Sequence, residues 1–433
     1  MSMALTMACT SDFSGLVRGK GFLSSDLSKR IQNGVGWTPT NVQITCFDSI
    51  ADSPYGALGD MVLWPDPETR VETMLPDGAP MSFLMGPVTD LDGAPWECCT
   101  RSILHNAIET LRAETGLTVK ATFEHEFMLS GGRGSRGFTL DGFQERRAFS
   151  DALVETLGAA GIEPDSILRE YGPDQMEITL PPTDALKAAD QATALREITR
   201  AVARALDTKA TFSPLCAPDI VGNGVHIHFS LWDAEGHPAT HDPAGQDGLS
   251  PQASAFIAGI LRHANGVTAL TAPSVLSYER LVPHRWSAGF NNLGAQDREA
   301  LIRICPVSAR EPDARARQFN VEFRAADAAA SPYLALAALL SAGTIGLRET
   351  LSAPAATTED LSLLDAKSLA DRGLARLPQS LEEAIAAFEA DETLRACFPD
   401  RMPAIYAAHK RGEIDHVKDL SNEELFAAYA ATY

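Results

Sequence analysis

The feature that most limits the fold of this 433-residue chain is an alternation of mostly apolar and mostly polar side chains in five short segments. In "VHIHFSLW", at 225–232, every second residue is apolar, and the residues between include His226, His228 and Ser230. A period of two places the two sets on opposite faces of a β-strand. The same pattern occurs in "VKATFEHEFML" at 119–129, "QMEITL" at 175–180, "LIRIC" at 301–305 and "FNVEFR" at 319–324. The sequence therefore predicts five half-buried strands.

The polar faces of these strands carry an unusual set of residues. A sheet face in contact with water is the expectation for any single strand. Here, however, carboxylates, imidazoles and arginines predominate, almost without lysine: Glu124, Glu126, Glu177, His226, His228, Arg303, Glu322 and Arg324. On one sheet these carboxylates would repel each other unless cations lay between them. Mg²⁺ or Mn²⁺ suits such ligands, and arginines suit phosphate or carboxylate groups, so the pattern indicates phosphoryl transfer.

Composition excludes several other functions. With 45% hydrophobic and 21% charged residues, the chain is typical of globular proteins. Its formal net charge of −21 argues against nucleic acid or an anionic membrane as a partner. The seven cysteines show no CxxC or disulfide spacing, no apolar run could cross a membrane, and the N-terminus lacks the features of a signal peptide. We therefore expect a cytoplasmic protein.

The distribution of helices predicts two domains. The first hundred residues are rich in turns and β-formers, and the first long helical pattern begins at Ser102. Further helices are predicted after Thr183 as N-cap, from Pro332, where the pattern is apolar almost all round, and from Ser380. We expect a small β-rich domain over 1–100 and a larger α+β domain over 101–433.

Taken in order, the motifs resemble those of the glutamine synthetase family. The resemblance covers nearly the whole chain. It rests on "RGKGF", "CFDSI", "FEHEF", "REYGPDQMEI", "GNGVHIHFSLW", "SYERLVP", "QDREALIRI" and "VEFRAADAAASPYLALAALLSAG". It implies an α+β fold with a small β-grasp N-terminal domain and a catalytic domain whose curved antiparallel sheet is framed by helices. It also implies a homo-oligomer of stacked rings, expected as a dodecamer, whose active sites are shared between neighbours.

The resemblance further implies ATP-dependent amide formation. The γ-phosphate of ATP would pass to the γ-carboxylate of glutamate, and an amine would then displace phosphate. Two or more Mg²⁺ or Mn²⁺ ions are expected per site. One would be held by Glu126, Glu170 and Glu177, and the other by Glu124, His226 and Glu322, with Glu322 also given a catalytic role.

The remaining site residues are likewise carried over from the family motifs. His228, Ser230 and Arg303 would bind the nucleotide. Residues that would contact the acid substrate or the transferring phosphate are Gly222, Arg280, Arg298, Arg303 and Arg324. Asp48, contributed by the neighbouring subunit, would assist the incoming amine, and Arg298 would be catalytic.

Trp286 departs from the family pattern in the flap that follows "SYERL". Relatives that use ammonium carry a glutamate there, which helps to take its proton. An indole cannot accept a proton, but it packs on alkyl chains and attracts cations by its π-face. This favours a polyamine or alkylamine as the small amine substrate. If the flap has instead shifted in register, ordinary ammonium-using glutamine synthesis remains the alternative.

Two further departures remove cations from the nucleotide side. Leu215 stands where the family has lysine, and Asn320 where it has arginine. This leaves open a non-catalytic, ring-forming sensor or scaffold. Because all six proposed metal ligands and four principal arginines remain, the sequence favours an enzyme.

Overall fold

The computed structural model describes residues 4–433, which contain sixteen strands and fifteen α-helices. The strands are Leu5–Ser11 (β1), Val17–Leu23 (β2), Val35–Trp37 (β3), Met61–Leu63 (β4), Val71–Met74 (β5), Pro80–Met85 (β6), Val88–Thr89 (β7), Thr118–Leu129 (β8), Ser166–Arg169 (β9), Gln175–Thr179 (β10), Thr183–Asp184 (β11), Ala210–Thr211 (β12), Val225–Trp232 (β13), Phe290–Gly294 (β14), Ala300–Ile304 (β15) and Val321–Phe323 (β16).

The helices are Leu27–Asn33 (α1), Thr100–Thr115 (α2), Leu140–Glu145 (α3), Arg147–Ala159 (α4), Ala185–Ala205 (α5), Pro251–Arg262 (α6), Ala264–Thr271 (α7), Val275–Arg280 (α8), Pro312–Gln318 (α9), Pro332–Arg348 (α10), Ala366–Asp371 (α11), Leu381–Ala390 (α12), Glu392–Arg395 (α13), Met402–Val417 (α14) and Asn422–Thr432 (α15). None of them, within residues 4–433, combines the length and apolar composition that crossing a membrane requires.

The N-terminal part is built on a four-stranded sheet with the strand order β2–β1–β6–β5. Its central strands β1 and β6 are parallel, and an antiparallel neighbour flanks each of them. This is the expected β-grasp arrangement. A second, three-stranded sheet, β3–β4–β7, lies in the same part of the chain.

The larger sheet contains all five segments that the alternation predicts as strands. Its order is β14–β15–β16–β13–β8–β10–β9, and the short strands β11 and β12 also pair with β8. The predicted segments are β8, β10, β13, β15 and β16. All pairs are antiparallel except β14–β15 at one edge, which is parallel and irregular between Phe290 and Leu293. The sheet is therefore mixed rather than wholly antiparallel.

Helices cover the sheet and bury its apolar face. Helix α10 is buried over almost its whole length, as its apolar sequence predicts, and packs on α2 and α6. Its Gly346 lies so near Gly259 of α6 that a Cβ on either residue would meet backbone atoms of the other helix. Helix α5 begins one residue later than predicted. Thr183 pairs with Ala121 in the sheet, so Asp184 is the N-cap.

The hydrophobic core continues across residue 100. Thr100 donates a hydrogen bond to the Ser11 carbonyl at 2.8 Å, and the Phe13 ring packs edge-on against Tyr406 of α14. The C-terminal helices thus contribute to the packing of the N-terminal part. The division into domains at residue 100 stays a prediction.

Candidate active site

The register of the sheet brings the predicted polar residues onto one face. Strand β8 lies between β10 and β13, and β16 follows β13. Four register pairs consist of predicted site residues: Glu126–Glu177, Glu124–His226, His228–Glu322 and Arg303–Glu322. Because cross-strand partners lie about 5 Å apart at Cβ, the register alone produces a compact polar cluster.

One group of three carboxylates comes together as predicted. Glu126, Glu170 and Glu177 each offer an oxygen within 4.8 Å of the others. Burial, and then the neighbouring carboxylates, raise the pKa of Glu177 to about 10. Burial is also the main reason that the pKa of Glu170 rises to about 7. The group therefore carries more negative charge than its surroundings stabilise, which a divalent cation would neutralise.

The second predicted group is stabilised differently. Glu124, His226 and Glu322 also offer donor atoms within 4.8 Å of one another. His226 Nδ1 lies 2.8 Å from Glu124 Oε1, and despite the opposing effect of burial this contact lowers the pKa of Glu124 to about 2. The pKa of Glu322 is also lowered: burial opposes ionisation, but His228 and Arg324 outweigh it.

The two groups approach each other beside Gly224. A Cβ at Gly224 would lie 3.1 Å from His226 Nε2, 3.2 Å from Arg280 Nη1 and 3.5 Å from Glu126 Oε2, so one atom of each group and an arginine meet at this glycine. The Gly224 N–H donates to Glu126 Oε2 at 2.6 Å, which orients that carboxylate. Carboxylate oxygens with one imidazole match the preferences of Mg²⁺ and Mn²⁺. The ligand roles themselves stay predictions.

The four arginines differ in their surroundings. Arg303 and Arg324 each donate from Nη1 to Glu322 Oε1, at 2.8 and 2.7 Å. Arg298 is exposed, and its carbonyl accepts from Arg324 Nε at 2.7 Å. Arg280 is buried and donates to the carbonyls at 325 and 326 and to Ser287.

The position of the Arg280 side chain also explains why residue 222 is a glycine. A Cβ at Gly222 would lie 2.6 Å from Arg280 Cγ and 2.4 Å from the Pro214 carbonyl oxygen. The backbone at 222 therefore approaches the Arg280 side chain closely. An approach to substrate at this glycine stays a prediction.

A cavity of about 510 Å³ opens beside the second group. Its lining includes the predicted nucleotide residues His228 and Ser230, together with Lys120, Arg317 and Asn320. Lys120 was not among the predicted site residues, although it stands in phase with Glu124 on β8 and the same alternation places it on the polar face. Arg303 is not in this lining, because its guanidinium pairs with Glu322.

The two residues taken as lost cations have packing roles. Leu215 is 1% exposed and belongs to the hydrophobic core, so its side chain does not face the cavity. Asn320 Oδ1 lies 3.0 Å from His228 Nδ1. With Lys120 and Arg317 present, the cavity retains two cations for an anionic ligand.

Trp286 lies in the loop that joins α8 to β14. It contacts two residues that were not predicted from the sequence, Glu299 and Tyr171. Glu299 accepts hydrogen bonds from the backbone N–H groups of His284 and Trp286, at 2.9 and 3.0 Å. Both loop residues have positive φ, 66° and 54°. The half-exposed Trp286 ring packs on Tyr171, with centroids 5.0 Å apart, and Tyr171 directly follows Glu170. Contacts between loops, such as these two, leave no periodic pattern in the sequence.

Asp48 stands apart from the sheet within one chain. Its side chain is 86% exposed, and its ion pair within the described residues is with Arg18 at 3.5 Å. The role expected of it requires a neighbouring subunit, so that role stays a prediction.

Two acidic groups fit for cations, flanked by arginines and a cation-lined cavity, are the arrangement of a phosphoryl-transfer enzyme. Two family models identify it further. The glutamine synthetase N-terminal domain matches residues 2–96, and the glutamine synthetase catalytic domain matches residues 97–429. The chain belongs to the glutamine synthetase family and is an ATP-dependent carbon–nitrogen ligase.

Individual relatives are similar over nearly their whole lengths. The chain is 32% identical to a gamma-glutamylpolyamine synthetase of Streptomyces coelicolor, over 98% of this chain and 92% of the relative. It is also 32% identical to a glutamine synthetase of Pyrococcus abyssi, over 89% of this chain and 84% of the relative. A crystal structure described as a novel glutamine synthase homolog superposes with a TM-score of 0.92 at 38% identity, covering 100% of this chain and 99% of the other.

Proposed function

We propose that this ligase joins glutamate to an amine larger than ammonium, a polyamine or an alkylamine, through a γ-glutamyl phosphate. A glutamate carboxylate oxygen attacks the γ-phosphorus of ATP, and ADP leaves. The amine nitrogen then attacks the acyl carbon, phosphate leaves, and the nitrogen loses a proton. Activation is necessary because a carboxylate is a poor electrophile.

The observation that carries the proposal is the pair of acidic groups on one sheet face. Glu126, Glu170 and Glu177 would hold one Mg²⁺ or Mn²⁺, and Glu124, His226 and Glu322 the other. When bound, the ions would neutralise charge on the phosphates as the γ-phosphate is transferred.

The arginines supply the remaining positive charge. Arg280 and Arg324, both buried, are held by hydrogen bonds to fixed backbone carbonyls, which suits them to orient a dicarboxylate. Arg298, exposed beside the carboxylates, and Arg303 would stabilise the transferring phosphate. Lys120 and Arg317 in the cavity would contact the nucleotide.

The preference for a larger amine is supported by the aromatic pair. Trp286 packs on Tyr171 next to Glu170, and both residues are exposed, so an alkyl chain or a protonated second amine that bound there would contact aromatic surface. The similarity to a gamma-glutamylpolyamine synthetase points in the same direction. Ordinary glutamine synthesis is the second candidate, because the Pyrococcus glutamine synthetase is equally identical to the chain.

The test is a panel of amines with the purified protein. Mg²⁺, ATP and glutamate would be incubated with ammonium, methylamine, longer alkylamines or polyamines, and both phosphate and the γ-glutamyl product would be measured. We expect product with an organic amine, and for Trp286→Ala a roughly tenfold or greater loss of kcat/KM, because the apolar contact is removed. Phe138→Ala, which removes an exposed aromatic residue outside this loop, should leave the rate unchanged.

The other outcomes distinguish the alternatives. Efficient turnover of ammonium alone would identify an ordinary glutamine synthetase. No phosphate release with any amine would favour the sensor or scaffold.

We further propose a dodecamer of stacked rings in the cytoplasm. The exposed Asp48 carboxylate, whose one ion pair among residues 4–433 is with Arg18, supports a site completed by a neighbour. All seven cysteines are free, which suits a reducing compartment. Light scattering after size-exclusion chromatography tests the assembly, and a monomer would contradict it.

A further inference from the structure

We propose that Arg18 is a positioning residue for Asp48, which holds one oxygen of that carboxylate and leaves the other free to accept a proton from the amine. Arg18 lies on β2, and Asp48 lies in the segment between β3 and β4. Arg18 Nη1 is 3.5 Å from Asp48 Oδ1. The inference rests on the proposed function, in which Asp48 reaches the active site of a neighbouring subunit.

The amine must lose a proton before it can react. At neutral pH a primary amine is an ammonium ion, and a proton occupies the lone pair of its nitrogen. Once a base has taken this proton, the nitrogen attacks the acyl carbon, phosphate leaves, and a second proton passes to the phosphate or to water. A carboxylate can accept the first proton only from within hydrogen-bond reach of the nitrogen. The position of the carboxylate therefore limits this step.

An exposed carboxylate has no fixed position of its own. The Asp48 side chain is 86% exposed within one chain, and a solvated side chain samples several rotamers. Among residues 4–433, its one ion pair is with Arg18 and is made through Oδ1. This contact restricts the rotamer and leaves Oδ2 for the amine.

Arg18 can fix Asp48 because its own guanidinium is fixed. Its Nε donates to Asp12 Oδ2 at 2.6 Å, and its Nη2 donates to the Thr45 carbonyl at 3.0 Å. Asp12 is held in turn, because its Oδ1 accepts the backbone N–H groups of residues 14 and 16 at 2.9 Å each. The planar guanidinium thus presents a different nitrogen to each of three partners, which a lysine cannot do.

The backbone at Asp48 depends on the same carbonyl. The Asp48 N–H donates to the Thr45 carbonyl at 3.2 Å, and the Thr45 N–H donates to the Ser49 carbonyl at 2.9 Å. Asp48 has a φ of 55°, a conformation that a non-glycine residue keeps only when its surroundings stabilise it. Arg18 therefore contacts both the turn and the carboxylate that the turn presents.

Two nucleophiles separate proton removal from the rest of the reaction. With saturating Mg²⁺, ATP and glutamate, product formation would be measured with the preferred amine and with hydroxylamine, which is already unprotonated at neutral pH. We expect Arg18→Lys to lower kcat/KM for the amine roughly tenfold or more, and to change the rate with hydroxylamine by no more than about twofold. Lys20→Ala removes an exposed cation two residues further along β2, and this matched control should change neither rate.

A double-mutant cycle tests whether Arg18 acts through Asp48. Asp48→Asn should lose at least as much activity toward the amine as Arg18→Lys does. Adding Arg18→Lys to Asp48→Asn should then lower the rate by no more than about a further twofold, because the group that Arg18 positions is already gone. Circular dichroism and size-exclusion chromatography should show that each variant keeps the fold and the assembly of the wild type.

Several results would overturn the inference. Equal losses with both nucleophiles, or a lost assembly, would show that Arg18 only maintains structure. Losses that multiply in the cycle would show that Arg18 acts independently of Asp48, and an unchanged amine rate in either single variant would exclude the role directly. A wild type that accepts only ammonium would contradict the proposed amine specificity alone, because the same cycle can be run with ammonium. A wild type inactive even with hydroxylamine would contradict the proposed function, and this inference with it.

Discussion

Glu126 and Glu177 face each other across β8 and β10, so at the scale of single residues the site is dominated by repulsion between carboxylates. Two carboxylates in direct cross-strand register destabilise a sheet, and Glu170 adds a third. Burial, together with this repulsion, raises the pKa of Glu177 to about 10, so that its carboxyl group stays protonated at neutral pH. A bound cation would turn the repulsion into attraction, so the metal-free protein should be less stable than the metal-bound one.

Glu177→Gln tests this balance. Without divalent ions the variant should be more stable than the wild type by about 1 kcal/mol, because the neutral amide can be buried beside the other two carboxylates without taking up a proton on folding. With Mn²⁺ the order should reverse, because a metal ligand is also gone. Urea unfolding with EDTA and with Mn²⁺ measures both. Glu163→Gln, an exposed carboxylate elsewhere, is the control, and equal stabilisation of Glu177→Gln and wild type by Mn²⁺ would contradict the assignment.

At the scale of elements, the loop between α8 and β14 is held in a conformation that its sequence does not favour. Non-glycine residues pay a cost of about 1 kcal/mol or more in the left-handed region, and this loop has two of them. Glu299, directly before β15, opposes that cost by accepting both loop N–H groups. The position of the Trp286 ring over Tyr171 thus depends on the hydrogen bonds that Glu299 accepts from the loop backbone.

Glu299→Gln should therefore release the loop. Glutamine has one oxygen acceptor in place of two, so one of the two backbone hydrogen bonds is lost. We expect Trp286 emission to move to longer wavelength, and KM for the amine to rise roughly tenfold or less while kcat changes little. Trp286→Phe identifies the emission of this tryptophan.

A second substitution gives the matched rescue. His284→Gly in the Glu299→Gln background removes the left-handed penalty at 284, and part of the change in KM should be recovered. An unchanged emission spectrum and an unchanged KM in Glu299→Gln would show that the conformation of the loop does not depend on Glu299.

At the scale of the whole molecule, a buried ion pair in a C-terminal helix is hydrogen-bonded to the N-terminal part of the chain. Lys410 and Glu413 of α14 are fully buried, and Lys410 Nζ lies 3.0 Å from both carboxylate oxygens. Ser14, in the loop after β1, donates to the same carboxylate at 2.6 Å. Burial opposes ionisation of Glu413, but Lys410 outweighs it, and the pKa of Glu413 is lowered below its usual 4.5.

Glu413→Gln should lower the free energy of unfolding at neutral pH by about 3–5 kcal/mol, because it leaves Lys410 charged and buried without its partner. A lowered pKa in the folded state adds stability above the ordinary pKa of 4.5, and this is lost as the pH falls through the folded value. The difference between variant and wild type should therefore shrink below pH 4.5. Urea unfolding across pH measures it.

Asp415→Asn is the control on the same helix. Asp415 pairs with Lys418 at the surface, so its loss should change the stability by no more than about 0.5 kcal/mol. Equal effects of the two substitutions would contradict a special role for the buried pair.

The sequence predicted the sheet strands and their polar face because alternation involves only neighbouring residues, so it can be recognised in the sequence alone. The sequence could not show that β14 and β15 pair in parallel, because the direction of pairing depends on the path of the segment that connects the two strands. Family motifs brought Glu170 into the candidate site. Tyr171 and Glu299 were missed because their contacts with Trp286 join separate loops. Lys120 is different, because the alternation of 119–129 places it on the polar face with Glu124.

The central position of β8 has a consequence for insertions and deletions. This strand forms ladders with four others, β10, β11, β12 and β13. Shifting its frame by a single residue would turn Glu124 and Glu126 into the apolar interior and send the fully buried His125 toward the cavity. Surface loops such as 235–248 can gain or lose residues between homologues, whereas a change of length inside 118–129 would exchange the two faces of the sheet at its centre.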